Sequence, residues 1–262
     1  MTSILEIDFV QPAGFRPLSL DLRTPDAEAA PLVVFLHGGG WLRGSRKVFT
    51  PGISDARSFD RIVAAGFAVA ACEYRLSGEA HFPAQLDDVD AALAWLHAHA
   101  AEHGVDASRI VLWGVSAGAT IAALTGLRRD DVHGVVDWFG PADLFAMAEH
   151  DSALKTPGGA PDETREARWI GGPAAEHPDT ARAASPVHQV RAGAPPFHIS
   201  HGTDDEHVPF AQSEALVAAL QGVGAEVEFH PVAGGRHFWQ GLDDTAPLFD
   251  RAIEFTSRVT TR

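Results

Sequence analysis

The sequence predicts an α/β fold: one domain spanning 1–262, with a mostly parallel sheet of about eight strands flanked by helices. Three observations lead there. Several short segments are apolar without interruption, as strands covered on both faces must be. Segments with helical character separate them at βαβ spacing. The chain has 262 residues, 45% of them hydrophobic and 21% charged, which is enough apolar material for a sizeable core.

In chain order, "ILEIDFV" (4–10) and "PLSLDLR" (17–23) come first. The alternation in 17–23 predicts a half-exposed antiparallel pair at a sheet edge. Continuous runs follow at 31–38, 67–74, 109–115, 134–140 and 195–202, with a weaker alternating one at 226–232. Helices are expected at 56–66, 83–104, 117–127, 210–224 and 245–259. The second opens on Pro83, carries Asp in its early turns and ends at Gly104, as the asymmetry of helix termini favours. Its apolar stripe is Leu86, Val89, Leu93, Leu96 and Ala100. Residues 141–194 break the rhythm, being too long for a plain crossover and too polar for a core; a small lid-like insertion is expected there. There is no internal repeat.

Charge narrows the partners. With 35 Asp+Glu against 20 Lys+Arg, the formal net charge is −15. Such a surface repels phosphate backbones and anionic lipid, so neither nucleic acid nor a membrane is an expected partner. The lone Cys72 lies in an apolar run and permits no intramolecular disulfide. The start, "MTSILEIDFVQPAG", lacks the basic and apolar regions of a signal peptide, and a cytoplasmic location is the expectation. Nothing in the sequence sets an oligomeric state.

The chemistry concentrates in four loops. "RIVLWGVSAGATIAAL" (109–124) runs a strand into Gly114-Val115-Ser116-Ala117-Gly118 and then into a helix of small residues, the context of a nucleophile elbow. A serine there needs a base, and the base needs an orienting acid. His237, in the Gly-rich "VAGGRHFW" after the last strand, is positioned to be the base. The loop "SHGTDDEHVPF" (200–210) offers Asp204 and Asp205. "HGGGW" (37–41) follows the first continuous run, and its glycines leave backbone N–H groups free to face a developing oxyanion. The N–H of Ala117 adds another donor, with the helix dipole behind it. The Gly-rich stretch lacks a dinucleotide or P-loop register. His97, His99 and His103 cluster on one helix, but no His-Glu-x-x-His or thiolate cluster is present; neither metal nor cofactor is expected.

Together these residues resemble the α/β-hydrolase superfamily. The likeness is nearest to single-domain bacterial esterases with an HGGGW oxyanion loop, a feruloyl-esterase-like group related to hormone-sensitive lipases and the prolyl oligopeptidase catalytic domain. It extends to "EYRLSGEAHFPAQLDDVDAALAWL" (73–96), "VVDWFGPADL" (135–144) and "HGTDDEHVP" (201–209). The resemblance implies Ser116 as nucleophile, His237 as general base and acid, Asp205 rather than Asp204 as the triad acid, and Gly39, Gly40 and Ala117 as oxyanion donors. It implies a serine carboxylesterase acting on a small-molecule ester. Alternatives are a carbohydrate-acetyl or feruloyl esterase, an arylformamidase, or a ligand-binding protein on a hydrolase scaffold. Two departures bear on the acyl pocket. His37 stands too early for the N-terminal cap of the lipase relatives, so the pocket is roofed by 141–194 or left open. The bulky Phe238 and Trp239 beside His237 either fill part of the pocket, which favours small acyl groups, or pack under the last helix; Trp41 is a pocket wall or a strand-end anchor.

Overall fold

The computed structural model describes residues 2–51, 53, 55–153 and 164–261. Its centre is an eight-stranded sheet: β1 (Thr2–Val10), β2 (Leu18–Thr24), β3 (Ala30–Leu36), β4 (Ala68–Cys72), β5 (Val105–Val115), β6 (Val132–Trp138), β7 (Phe197–Gly202) and β8 (Val227–Val232). The spatial order is β1-β2-β4-β3-β5-β6-β7-β8. β1 pairs antiparallel with β2 and β2 with β4, and all other pairs are parallel. The chain steps from β3 to one side and then returns to the other, so the carboxyl ends of β3 and β5 meet at a topological switch point. Ligand sites of open α/β sheets form at such crevices.

The uninterrupted apolar runs have a simple cause. On β3, Leu32, Val34 and Leu36 face one core while Val33 and Phe35 face the other. Period-2 alternation thus buries every residue when both faces are covered. One face is covered by α2 (Ala84–His99), α3 (Ala117–Arg128) and α7 (Ala211–Gly222), the other by α1 (Asp55–Ala64) and α8 (Ala246–Thr260). The expected stripe of α2, Leu86 to Ala100, is buried throughout, and Ala100–His103 continue the helix as a 3-10 turn that Gly104 ends in the left-handed region.

Two expectations change. β1 is exposed at the sheet edge, but β2 is not half-exposed. Its Leu18, Leu20 and Leu22 join the core, and on its other face Asp21 is 1% exposed because buried Arg46 bonds it at 2.9 Å. The alternation records an ion pair there, not water. The insertion 141–194 is also more structured than its composition suggests: it holds α4 (Leu144–Ala153), α5 (Arg165–Ile170), α6 (Pro178–Ala183) and a 3-10 turn at Pro186–His188. Part of the polar stretch on which the lid expectation rests, 154–163, lies outside the described residues. Among the described residues, no helix is long and apolar enough to cross a membrane.

Glycines fix the turn between β5 and α3. A Cβ on Gly114 would lie 2.3 Å from the Gly118 carbonyl oxygen, and one on Gly118 would lie 2.2 Å from that of Leu36. Both obstacles are backbone and cannot step aside. Gly118→Ala is therefore expected to destabilise by about 1–3 kcal/mol, as overpacking does. Gly222, which ends α7 with nothing within 4 Å of an added Cβ, gives the control. Gly222→Ala should leave stability unchanged or raise it by up to about 1 kcal/mol. Urea midpoints of the two variants distinguish these outcomes.

Candidate active site

Ser116 sits at the N-terminus of α3 with φ 54° and ψ −124°, a conformation that L-residues avoid and that a tight strand-to-helix turn imposes. Its N–H donates to the Trp138 carbonyl at 2.9 Å, extending the parallel ladder one residue past β5. The side chain is thereby lifted off the sheet edge. Its hydroxyl donates to His237 Nε2 at 3.1 Å, and His237 Nδ1–H donates to Asp205 Oδ2 at 2.6 Å. All three residues are buried. Asp204, the other carboxylate left open by the loop composition, is exposed and accepts from the Thr203 hydroxyl at 2.9 Å.

Asp205 is held from every side. Its Oδ1 accepts from the N–H groups of His207 and Val208 at 2.8 and 2.9 Å, fixing the carboxylate plane. A second histidine, His201, is fully buried and places Nε2 3.3 Å from Oδ2. That Nε2–H also donates to the Val208 carbonyl at 3.0 Å, which leaves Nδ1 to accept from the Ser213 hydroxyl at 2.7 Å. Burial alone raises a carboxyl pKa; here the bonds from His201 and His237 outweigh it and hold Asp205 well below the ordinary carboxylate range. His201 and Ser213 escape sequence reasoning as site residues, although "HG" opens the very pattern that marks Asp205.

The HGGGW loop is braced from behind. His37 Nδ1–H donates to the Gly38 carbonyl at 2.8 Å, the Tyr74 hydroxyl donates to the His37 carbonyl at 2.6 Å, and the two rings stack at 4.3 Å. Burial pushes the His37 pKa down to about 4, so this brace is neutral. The Gly39 carbonyl is occupied by the N–H groups of Leu42 and Arg43, both at 3.3 Å. Among the described residues, the N–H groups of Gly39, Gly40 and Ala117 donate to no protein acceptor. Gly38, Gly39 and Gly40 line the same cavity as Ser116 and His237, with a volume of about 390 Å3.

The three pocket candidates separate. Phe238 lines this cavity, 4.2 Å ring to ring from His237. Trp239 does not: it is 2% exposed, packed edge-on against Trp138 and Phe139. The left-handed φ values of Phe238 and Trp239, 58° and 62°, turn the chain so sharply that the two rings diverge. Trp41 does not line it either: its ring stacks on Trp169 of α5 at 4.2 Å and 5°. Trp169 in turn donates Nε1–H to Gln85 at 2.9 Å. Trp41 is thus the anchor on which the insertion docks. Arg43, Arg165 and His207 line the cavity and have no sequence signal beyond position in these loops.

The helical histidines have ordinary roles: His97 bonds Asp131 at 3.1 Å, and the His99 ring lies 4.8 Å from Trp95. Among the described residues, His198, Glu228 and His230 are the group whose donor atoms could hold a metal, all within 4.8 Å of one another. They line the edge of β7 and β8, but Arg258 already bonds Glu228, and Arg251 adds further positive charge toward both imidazoles. None of the three lines the Ser116 cavity.

The electrostatics of His237 yield a test. Burial lowers its pKa, Asp205 raises it, and burial wins, so the ring is neutral near pH 7 with Nε2 open to a proton. Its NMR titration should show a midpoint below the ordinary 6.5. Asp205→Asn, which removes the negative charge that favours the protonated ring, should move the midpoint lower still; a midpoint above 6.5 in the parent protein contradicts this account.

Known proteins share this arrangement of elements. A truncated form of a carbohydrate esterase from gut microbiota superposes with a TM-score of 0.86 at 28% identity, over 100% of this chain and 97% of that one. The propionate-bound esterase Est2 of the Planctomycetes species Thermogutta terrifontis gives 0.75 at 26% identity, over 97% and 93%. The fold is therefore that of the α/β-hydrolases. The esterase LipQ of Mycobacterium tuberculosis is 32% identical over 230 residues, 81% of this chain. The present chain spans about half the length of that relative, 52%. The BD-FAE family model matches residues 20–220, a stretch that takes in the HGGGW loop, the Ser116 turn and the Asp205 loop, and the chain belongs to that family.

Proposed function

We propose that the protein is a serine carboxylesterase for small-molecule esters. One observation carries the reading: a buried hydrogen-bonded run from Ser116 through His237 to Asp205 opens into a cavity lined by the backbone of Gly38–Gly40. Ser116 Oγ attacks the ester carbonyl while His237 Nε2 takes its proton. Asp205 keeps the other ring proton on Nδ1 and stabilises the imidazolium. The tetrahedral oxyanion is met by the N–H groups of Gly39, Gly40 and Ala117, which no protein acceptor competes for among the described residues. His237 then gives its proton to the departing alcohol, and water cleaves the acyl-enzyme by the same route. The esterase relatives and the structural neighbours support this reading. A carbohydrate acetate is the second substrate reading, favoured by the 0.86 TM-score to the gut carbohydrate esterase.

Ser116→Ala should fold normally and lose p-nitrophenyl acetate hydrolysis by a factor on the order of 10³ or more. A phosphonate reagent should label Ser116 alone, as mass spectrometry of the adduct would show. The two neighbouring aspartates should differ sharply. Asp205→Asn disturbs the His237 tautomer and should cost on the order of 10²–10⁴ in kcat. Asp204→Asn touches only the Thr203 hydroxyl and should cost less than about tenfold. A larger loss from Asp204→Asn refutes the assignment of the acid.

The acyl chain length is the second test. Phe238 crowds the cavity beside His237, its ring 4.2 Å from the base, and acyl groups of about two to four carbons are the expected preference. A methylene that fits gains up to about 0.8 kcal/mol, and one that clashes gains nothing. In a series of p-nitrophenyl esters, kcat/KM should peak at acetate to butyrate; a peak at octanoate contradicts a short pocket.

A further inference from the structure

The cavity in front of Ser116 carries two positive charges that ester cleavage does not use. Arg43 and Arg165 both line it, and among the described residues its lining includes neither aspartate nor glutamate. That is a local reversal in a chain with 35 acidic and 20 basic residues. Several other arginines are paired with carboxylates: Arg46 with Asp21, Arg75 with Asp88, Arg109 with Asp106. Among the described residues, neither Arg43 nor Arg165 has a carboxylate at ion-pair distance.

Arg165 is placed by construction. It is the first residue of α5, which the stacking of Trp169 on Trp41 fastens to the oxyanion loop. Its stem runs across the bare α-carbon of Gly40: a Cβ there would lie 2.5 Å from Arg165 Cδ and 3.4 Å from Nε. Arg43 is held from the other side of the same loop by its N–H to the Gly39 carbonyl. Among the described residues, the other titratable groups on the cavity wall are His37, His207 and His237. His37 is neutral and His237 belongs to the reaction.

We propose that Arg43 and Arg165 form a recognition site for an oxyanion, such as a carboxylate, carried by the ester substrate. The proposal rests on the esterase reading and adds the substrate class. A planar guanidinium binds a carboxylate through two parallel N–H···O bonds, which gives direction as well as charge. The acidic surface repels an anion at long range, but salt screens that field beyond about 8–10 Å. Within contact distance the two guanidinium groups decide.

Matched ester pairs test this: 4-acetoxybenzoate against 4-acetoxybenzamide puts the charge on the alcohol part, and p-nitrophenyl hemisuccinate against its methyl ester puts it on the acyl part. The readout is the ratio of kcat/KM, anionic over neutral. In the parent protein the ratio should exceed unity for at least one pair, and added salt should compress it. Arg165→Gln and Arg43→Gln should each lower it by about tenfold, the scale of one charge-assisted bond. Arg165→Lys should retain part of it. Arg168→Gln, exposed on the same helix and absent from the cavity wall, should not change it. A ratio below unity for both pairs, or one that neither Arg165→Gln nor Arg43→Gln alters, overturns the proposal. Turnover of the neutral esters reports the esterase reading separately. Should no ester turn over, calorimetry on the Ser116→Ala protein still decides. Binding of 4-acetoxybenzoate but not the amide, lost on adding Arg165→Gln, supports the site; equal binding, or binding of neither, refutes it.

Discussion

Where β3, β5 and α3 converge, three backbones run closer together than side chains allow. A Cβ on Gly118 would come within 2.2 Å of the Leu36 carbonyl oxygen, and a Cβ on Gly38 within 2.9 Å of the Val115 carbonyl oxygen. This contact sets the distances of everything above it. It fixes the left-handed turn at Ser116 and brings the HGGGW loop against the serine. The Asp205 and His237 loops approach from β7 and β8, two and three places along the sheet from β5. A catalytic constellation held to fractions of an ångström needs such a rigid reference, and a packed sheet edge provides it better than a loop.

Around that frame the charges are arranged with few loose ends. Asp205 is nearly enclosed, yet it stays ionised because two imidazoles and two backbone N–H groups surround it. His237 is likewise enclosed but neutral, since burial outweighs the one carboxylate beside it. The pair therefore rests with the proton on Nδ1 and with Nε2 basic. His201, fixed by Ser213, approaches the same Oδ2 that accepts from His237 and keeps the carboxylate from swinging away.

Much of this was legible in the residues, and what was not shares a cause. Strands on which both faces are apolar announce themselves, and so does a serine flanked by glycines where a strand meets a helix. Choosing Asp205 over Asp204 needed more than composition, because both are carboxylates in one turn and only direction separates them. The polar face of β2 misled because Asp21 and Arg46, 25 residues apart in sequence, bury each other. Trp41 looked like a pocket wall because its partner, Trp169, is 128 positions further along the chain. Arg165 carried no signal at all. Local periodicity reports which face is buried, not which distant side chain buries it.

The stacking of Trp41 on Trp169 has a consequence for how such a protein can change. One tryptophan belongs to the loop that serves the reaction, the other to the insertion that contributes a wall of the cavity. The joint between them is a flat ring pair, with Trp169 held further by its indole bond to Gln85 and by Phe82, so it specifies where α5 docks and little about what α5 displays. Residues on its free side can be exchanged while the serine, its base and its acid stay where they are. Reaction and recognition are in that sense separately heritable: one is written into the sheet edge, the other into a module clipped onto it.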